Sequence, residues 1–400
     1  MDFPKGALDG IVILDLTRVL CGPYGTMWLG DMGADIIKIE NPNGGDDTRS
    51  WGPRVGDESA YFAYINRNKR SVTLNLKSEE GKELFLQLVD KADVVVENYR
   101  PGVMDRIGLG YDVLSKRNPR IIYASASGFG TYGPYADRPG YDIIAQAAGG
   151  LMSLTGHEGG PPTRAGTSAA DITCGMNLVI GILASVIARE HTGRGQRLEV
   201  SLVDSIVAFT TPENMRYRVT GQIPPRIGGR YANLCPYGTF EAKDKEFILA
   251  CGNQKLFEIF CTKILKRPEV LEDPRMADVV ARTENYPAVK ELVESWSKTL
   301  TANEAIAAVQ AVGVPAGPIN DLEDVRYDPH IAGAREMFPK IQQPGIGELE
   351  VTAMPIKFDD TKATIRMPAP ALGEHNKEIF GGLLGISDEV LAAYKEKGAI

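Results

Sequence analysis

The sequence predicts an α/β fold: a Rossmann-like large domain built on a parallel sheet, together with a smaller α/β domain. Three observations lead there. Short β-branched runs alternate with helical patterns through the N-terminal half. A length of 400 residues with 43% hydrophobic content is enough for a full core and more than one domain. Two Gly/Pro-rich breaks then part the later chain into segments.

The strands come first. IVILDL (11–16), DIIKIE (35–40), SVTLNL (71–76), DVVVEN (93–98) and RIIYASAS (120–127) have the β-branched content and length of buried strands. GPYGTMWLGDMGA and SEEGKELFLQLVDKA lie between them as helices, the second opened by Ser78 as its cap. Such alternation means a parallel sheet covered on both faces. A long helix is expected from Ala169 to His191, with Ile172, Met176, Val179, Leu183 and Val186 on its apolar side and Gly193 as its stop. QRLEVSL follows as another strand.

Composition shifts at VTGQIPPRIGGRYANLCP, which sets the first boundary. Beyond it EFILACG reads as a strand, NQKLFEIFCTKIL as a helix, and Thr301 with Glu304 as a capping box. GVPAGPIND (313–321) sets the second boundary, and EIFGGLLGISDEVLAAYKEKGA closes the chain as a helical tail. The expected division is 1–222 and 321–400 for the large domain and 223–320 for the small one.

Composition excludes several functions. Lys and Arg number 44 against 52 Asp and Glu, a net charge of −8, so no global basic field exists to hold nucleic acid or an anionic membrane. MDFPKGALDG lacks the basic flank and apolar run of a signal peptide, which predicts a cytoplasmic protein. GMNLVIGILASVIA (175–188) is shorter than the roughly 18–20 residues that span a bilayer, and is read as a buried helix. Five scattered cysteines form no C-x-x-C pair, and four histidines show no metal-ligand spacing; neither a disulfide framework nor a metal site is expected.

GFGTYGPYADRPGYD (128–142) spells G-x-G-x-x-G behind a strand. A dinucleotide turn needs its third glycine to enter a helix within the first βαβ unit, and an acid closing the next strand. Here Gly133 meets Pro134 and a loop with a second proline, and no such acid follows. Asp171, where loop gives way to the long helix, is either a structural first-turn acid or a nucleophilic carboxylate, with the helix dipole expected to hold its pKa below the reference ~3.9. Cys21, behind the first strand, is a rival nucleophile or a small packing residue. His157 is an acid/base candidate or a solvent-facing loop residue.

LDLTRVLCGPYGTMWLGDMGADIIKIENPNGGDDTR, NRNKRSVTLNLKSEEG, VVVENYRPGVMDRIGLGY, RPGYDIIAQAAGG, Asp171 before the long helix, TGRGQRLEVSLVDS and ALGEHNKEI together resemble the family III CoA-transferases, the superfamily of formyl-CoA transferase and α-methylacyl-CoA racemase. The likeness runs in order from about Leu14 to about Leu384. The LDLTRVL and GGDDTR wording is similar to that of the succinate–hydroxymethylglutarate CoA-transferase-like branch.

The resemblance implies ring-shaped subunits interlocked in a homodimer, with acyl-CoA and a small carboxylic acid as substrates and no metal or redox cofactor. It implies Asp171 as the nucleophile, and Val19, Leu20, Cys21, Asn41, Leu74, Asn98, Arg106 and Arg138 as the coenzyme A site. Tyr141 stands where the racemase branch has a histidine; a phenol with a reference pKa of ~10 is a poor proton shuttle, so transfer is expected over racemisation. Arg18 and Arg164 are further candidates for a second substrate carboxylate, against the plain reading of surface arginines. GGRYANL and CGNQ, the latter with Gln254, are the two segments that could cover the intermediate. A non-catalytic acyl-CoA-binding protein and an NAD-dependent enzyme are the alternatives of other classes.

Overall fold

A computed structural model describes residues 5–400. Two compact units divide the chain: one takes the described residues up to Leu151, Arg164–Gln222 and Arg335–Ile400, the other Met152–Thr163 and Ile223–Ala334.

In the first unit six strands form one sheet: β1 (Val12–Asp15), β2 (Asp35–Glu40), β3 (Lys69–Thr73), β4 (Val94–Glu97), β5 (Ile122–Ser127) and β6 (Arg197–Ser201). Every neighbouring pair is parallel and the order is β3-β2-β1-β4-β5-β6. The chain therefore winds outward from β1 in one direction and from β4 in the other, which leaves a crevice at the carboxyl ends of those two strands.

Strand alternation sorts the core into two layers. Ile13, Ile36, Val94, Val96 and Ile122 face one side, packed with Leu29 of α1 (Cys21–Asp31) and with the long central helix. Leu14, Ile37, Val72, Val95 and Tyr123 face the other, packed with Leu84, Phe85 and Leu88 of α2 (Glu79–Val89). Ile379, Phe380 and Leu391 of the C-terminal segment complete that second layer. Ser78 caps α2, its hydroxyl accepting from the Gly81 N–H.

The third strand differs from its expected span. It starts at Lys69 and leaves the sheet after Thr73; Leu74 N–H still bonds Glu40 O, but Asn75 N–H turns to Ala399 O. Lys69 belongs to the strand in spite of its charge because its ammonium is buried on Asp15. The tail is likewise not one helix: a wide turn over Lys377–Leu383 is separated at Gly385 (φ +73°) from a last helix (Asp388–Glu396).

Helix α3 (Asp142–Ala148) precedes the long α4 (Ala169–Thr192), which Gly193 ends in a left-handed conformation. The face of α4 in the core is Ala170, Cys174, Leu178, Ile182, Ser185 and Arg189, rotated from the expected apolar stripe, of which Val179 is buried and Met176, Leu183 and Val186 pack half-buried against the same core. The reason is α1: Gly25 and Gly175 bring the two helices so close that a Cβ at Gly175 would lie 2.7 Å from Cys21 O. Ile180 and Ile187 consequently point outward, 64% and 62% exposed. At 24 residues α4 is long and apolar enough to cross a bilayer by length and composition, unlike the shorter stretch read from sequence; its inner face is spent on the core just described. After β6 come α5 (Leu202–Phe209) and α6 (Thr211–Thr220).

The second unit holds a three-stranded antiparallel sheet, β7 (Tyr237–Glu241), β8 (Glu246–Ala250) and β9 (Ala316–Pro318), ordered β9-β8-β7. Its core is aromatic, with Phe240, Phe247, Phe257 and Phe260 fully buried. The GVPAGPIND stretch, read as a break, contains β9; its Pro318 is tolerated because the strand lies at the sheet edge. The expected capping box of Thr301 and Glu304 is formed.

Because the Gly175 contact is with backbone, which cannot swing aside, Gly175→Val is expected to lower the unfolding free energy by roughly 1–3 kcal/mol in urea denaturation. An unchanged midpoint would mean that the α1–α4 approach is looser than described.

Candidate active site at the carboxyl edge of the sheet

The crevice between β1 and β4 opens into a cavity lined by three chain segments that leave neighbouring strands. Arg18, Val19, Leu20 and Cys21 follow β1; Asn98, Tyr99, Arg100 and Pro101 follow β4; Ala126, Ser127 and Gly128 end β5. Arg138, Pro139, Gly140 and Tyr141 form a further wall, and Asp171, Leu202 and Asp47 complete it, Asp47 accepting from Arg18 Nη1 at 3.3 Å.

The glycine-rich loop owes its letters to geometry other than a phosphate turn. A Cβ at Gly128 would lie 2.6 Å from the Gly140 Cα, so the two ends of the loop touch backbone to backbone. Only glycine fits at either end. The loop closes on itself, sets Arg138 and Tyr141 on the cavity, and stacks the Arg138 guanidinium 3.7 Å from the Tyr135 ring centroid. Tyr141 is 68% exposed and directly precedes α3.

Asp171 sits in the first turn of α4, but another carboxylate occupies the helix end. Asp142 Oδ1 accepts from Ala170 N–H at 2.8 Å and Asp171 N–H at 3.4 Å, and its Oδ2 accepts from Gln146 Nε2 at 2.7 Å. Gln146 in turn accepts from Ala165 N–H and donates to Thr167 O, fixing the approach to α4. Ser168, at the N-cap position, makes no side-chain capping bond. Burial first, and then the neighbouring Asp142 charge, push the Asp171 carboxyl up to about 7. The expected lowering by the helix dipole is overturned: desolvation outweighs a dipole whose N–H groups already serve Asp142.

Cys21 is a poor rival. Its thiol is buried, and its hydrogen bond with Cys174, burial, and the charges of Cys174 and Asp171 all hold the pKa well above the ordinary value. The thiolate is therefore suppressed. His157 lies in the second unit, exposed.

Of the remaining sequence candidates, Val19, Leu20, Asn98, Arg138 and Tyr141 meet at this cavity with Asp171, and Arg18 joins them. Asn41, Leu74 and Arg106 do not line it. Asn41 Oδ1 accepts from Asn43 N–H, Leu74 is buried in the core, and Arg106 ends a short helix, its Nη1 near Gly102. Asn98 contributes a wall, yet its amide is committed to the loop behind β1: Oδ1 accepts from Arg18 N–H at 2.9 Å and Nδ2 donates to Arg18 O at 2.7 Å. Arg164 Nε lies 3.9 Å from Asp142 Oδ2. Gln254 accepts from the buried Arg282 at 2.8 Å within the second unit, so its amide oxygen is already engaged.

Sequence reading missed Asp142, Arg100 and Tyr61. Tyr61 is held above its ordinary pKa by burial and then by the charges of Asp171, Asp46 and Asp142, which places it within electrostatic reach of the site. The signal for Asp142 was available: it is an acid at the start of a helix, next to a residue already singled out. Among the described residues no three His, Cys, Asp or Glu side chains converge as metal ligands do.

The sequence profile of CoA-transferase family III matches residues 8–376. The chain belongs to that family. This family III CoA-transferase is 45% identical to a protein named acetyl-CoA:oxalate CoA-transferase from Acetobacter aceti, over 93% of this chain and 94% of the relative. It is 38% identical to the succinyl-CoA:glutarate CoA-transferase of Mus musculus, over 94% and 86% of the two chains. Among solved structures it resembles a CaiB/BaiF family protein from Brucella suis, with a TM-score of 0.82 at 40% identity over 95% of this chain and 100% of the other.

Two outcomes follow from the raised Asp171 carboxyl. If Asp171 is the nucleophile it works only when ionised, so kcat/KM should then fall about tenfold per pH unit below about 7, and Asp142→Asn should move that limb to lower pH. A limb near pH 4 in the parent enzyme would contradict this assignment. Burial also favours the protonated form, so the stability contribution of Asp171 is present at acid pH and is lost as pH rises through about 7. Asp171→Asn should accordingly be more stable than the parent above pH 7, by roughly 1–3 kcal/mol, with the advantage shrinking toward pH 4.

Proposed function

We propose that the enzyme moves CoA from an acyl-CoA donor to a small carboxylic acid, including dicarboxylates, through covalent intermediates on Asp171. The observation that carries the proposal is the position of Asp171: a partly desolvated carboxyl facing a cavity at the switch point of the sheet, in a chain of this family. The named activities of the relatives, on oxalate and glutarate, support the substrate class.

The reaction balances without a metal or redox cofactor. An Asp171 carboxylate oxygen attacks the thioester carbonyl; the C–S bond breaks, CoA leaves as thiolate and an acyl-aspartyl anhydride remains. The thiolate then attacks the aspartyl carbonyl, forming aspartyl-CoA thioester and releasing the donor acid as carboxylate. An acceptor carboxylate reverses both steps. Each addition passes through an oxyanion, for which the start of α1 is a source of backbone N–H donors, since no side chain caps it. Burial of Asp171 fits the need to keep water from the anhydride.

In this proposal Arg18, Arg100 and Arg138 supply the positive charge that CoA phosphates or a second substrate carboxylate require in a chain of net charge −8. Asn41, Leu74 and Arg106 remain part of the coenzyme A site by resemblance to the family. Tyr141 in the cavity supports transfer over racemisation, because no histidine stands there to pair with Asp171. A homodimer belongs to the same proposal, supported by the outward apolar side chains Ile180 and Ile187 of α4, Val207 and Phe209 of α5 and Val219 of α6. Cytoplasmic location is supported by five buried cysteines with free thiols.

A screen of acyl-CoA donors against mono- and dicarboxylic acceptors tests this directly. At least one pair should exchange CoA with ping-pong kinetics, and Asp171→Ala should lower kcat/KM by about 10³-fold or more. Deuterium washing into an acyl-CoA at full rate, with no acid taking up CoA, would favour racemisation and remove the proposal.

A further inference from the structure

The loop that carries Val19, Leu20 and Cys21 to the cavity contains a backbone anomaly. Val19 has φ +69°. Among the described residues Asn68, Lys266 and Glu336 are the other non-glycines with positive φ, and Val19 alone is β-branched. A β-branched side chain in the left-handed region is strained and persists only where its surroundings over-determine it.

Here the surroundings are ionic and buried. Asp46 Oδ1 accepts from Val19 N–H at 3.2 Å, and from the Thr48 N–H and hydroxyl at 3.0 and 2.8 Å. Lys38 Nζ donates to Asp46 Oδ2 at 3.0 Å and to Thr17 O at 2.8 Å, so one ammonium ties the loop to the carboxylate that holds Val19. Both partners are out of solvent, Lys38 at 0% and Asp46 at 3% exposed. The Lys38 charge also holds the Asp46 carboxyl below its ordinary pKa against burial. Asp15 fixes the start of the loop through Thr17, and Asn98 fixes Arg18 in both directions. The backbone from Thr17 to Val19 is thus clamped residue by residue, although neither Lys38 nor Asp46 lines the cavity.

We propose that the Lys38–Asp46 pair is a positioning element for CoA transfer: it holds Val19 in its left-handed conformation and so keeps the Leu20–Cys21 wall and the start of α1 aimed at Asp171. The inference rests on the reading of the Asp171 cavity as the active site. A core that needed only stability would be served as well by apolar residues of similar volume, since desolvating two charges offsets much of their attraction. What apolar residues cannot do is accept a hydrogen bond from the N–H of a strained residue.

The test is a double-mutant cycle with Val19→Gly, because glycine adopts positive φ without strain. Asp46→Asn should lower kcat about tenfold or more in the parent background, and less than about threefold in the Val19→Gly background, with full folding checked by circular dichroism. Equal losses in both backgrounds, or no loss in either, overturn the proposal. If Asp46→Asn fails to fold, Lys38→Met/Asp46→Leu removes the whole pair at similar volume and enters the same cycle, with the same two outcomes. Asp171→Ala serves as the control: if it is inactive while the cycle shows no coupling, the positioning role alone is wrong. If it retains transfer, the reading of the cavity falls and the positioning role with it.

Discussion

The constraint on which the site depends is the removal of one carboxylate from water. In the proposed reaction Asp171 must be ionised to attack, and dry enough that an anhydride formed on it survives; these demands oppose each other. The structure meets them by partial burial beside Asp142, which lifts the carboxyl to about 7 and leaves a workable ionised fraction at neutral pH. A fully exposed aspartate would be ionised but weakly nucleophilic and wet. A fully buried one would stay protonated.

The fold supplies that compromise through its winding. Strand order reverses between β1 and β4, so the segments leaving them diverge and open the cavity, and α4 enters it by its first turn. Close glycine contacts set the remaining distances: Gly25 with Gly175 seats α1 on α4, and Gly128 with Gly140 closes the loop that brings Arg138 and Tyr141 to the wall. Charged side chains of the strands are also turned inward, onto buried carboxylates. Lys38 on Asp46 and Lys69 on Asp15 are buried pairs whose ammonium groups also donate to backbone, Lys38 to Thr17 O in the loop after β1 and Lys69 to Pro23 O in the first turn of α1. Their burial fits fixing of loop conformation better than net stabilisation.

Much of the parallel sheet was legible because its strands are short runs rich in β-branched residues: DIIKIE is a strand over its whole length, and RIIYASAS contains one from Ile122. The third strand was misplaced at its start because Lys69 and Arg70 look like loop residues until their partners, distant in sequence, are known. The inward face of α4 was only partly read: Gly175 faces the core where α1 leaves no room for a side chain, and Ile180 and Ile187 face outward, whereas Met176, Leu183 and Val186 do pack, half-buried, against the core. Asp171 was visible as a residue but not in its protonation state, which depends on its burial and then on Asp142 reaching across from another helix. Lys38 and Asp46 were invisible as a pair, since nothing in the sequence marks Val19 as left-handed.

The most direct measurement of the central claim is mass spectrometry of enzyme quenched in acid during turnover with an acyl-CoA donor alone. The account predicts a CoA-sized adduct on the peptide carrying Asp171, absent when the acyl-CoA is omitted and discharged by adding acceptor acid. An adduct on Cys21, or a catalytically competent enzyme that never carries CoA on this peptide, would contradict it.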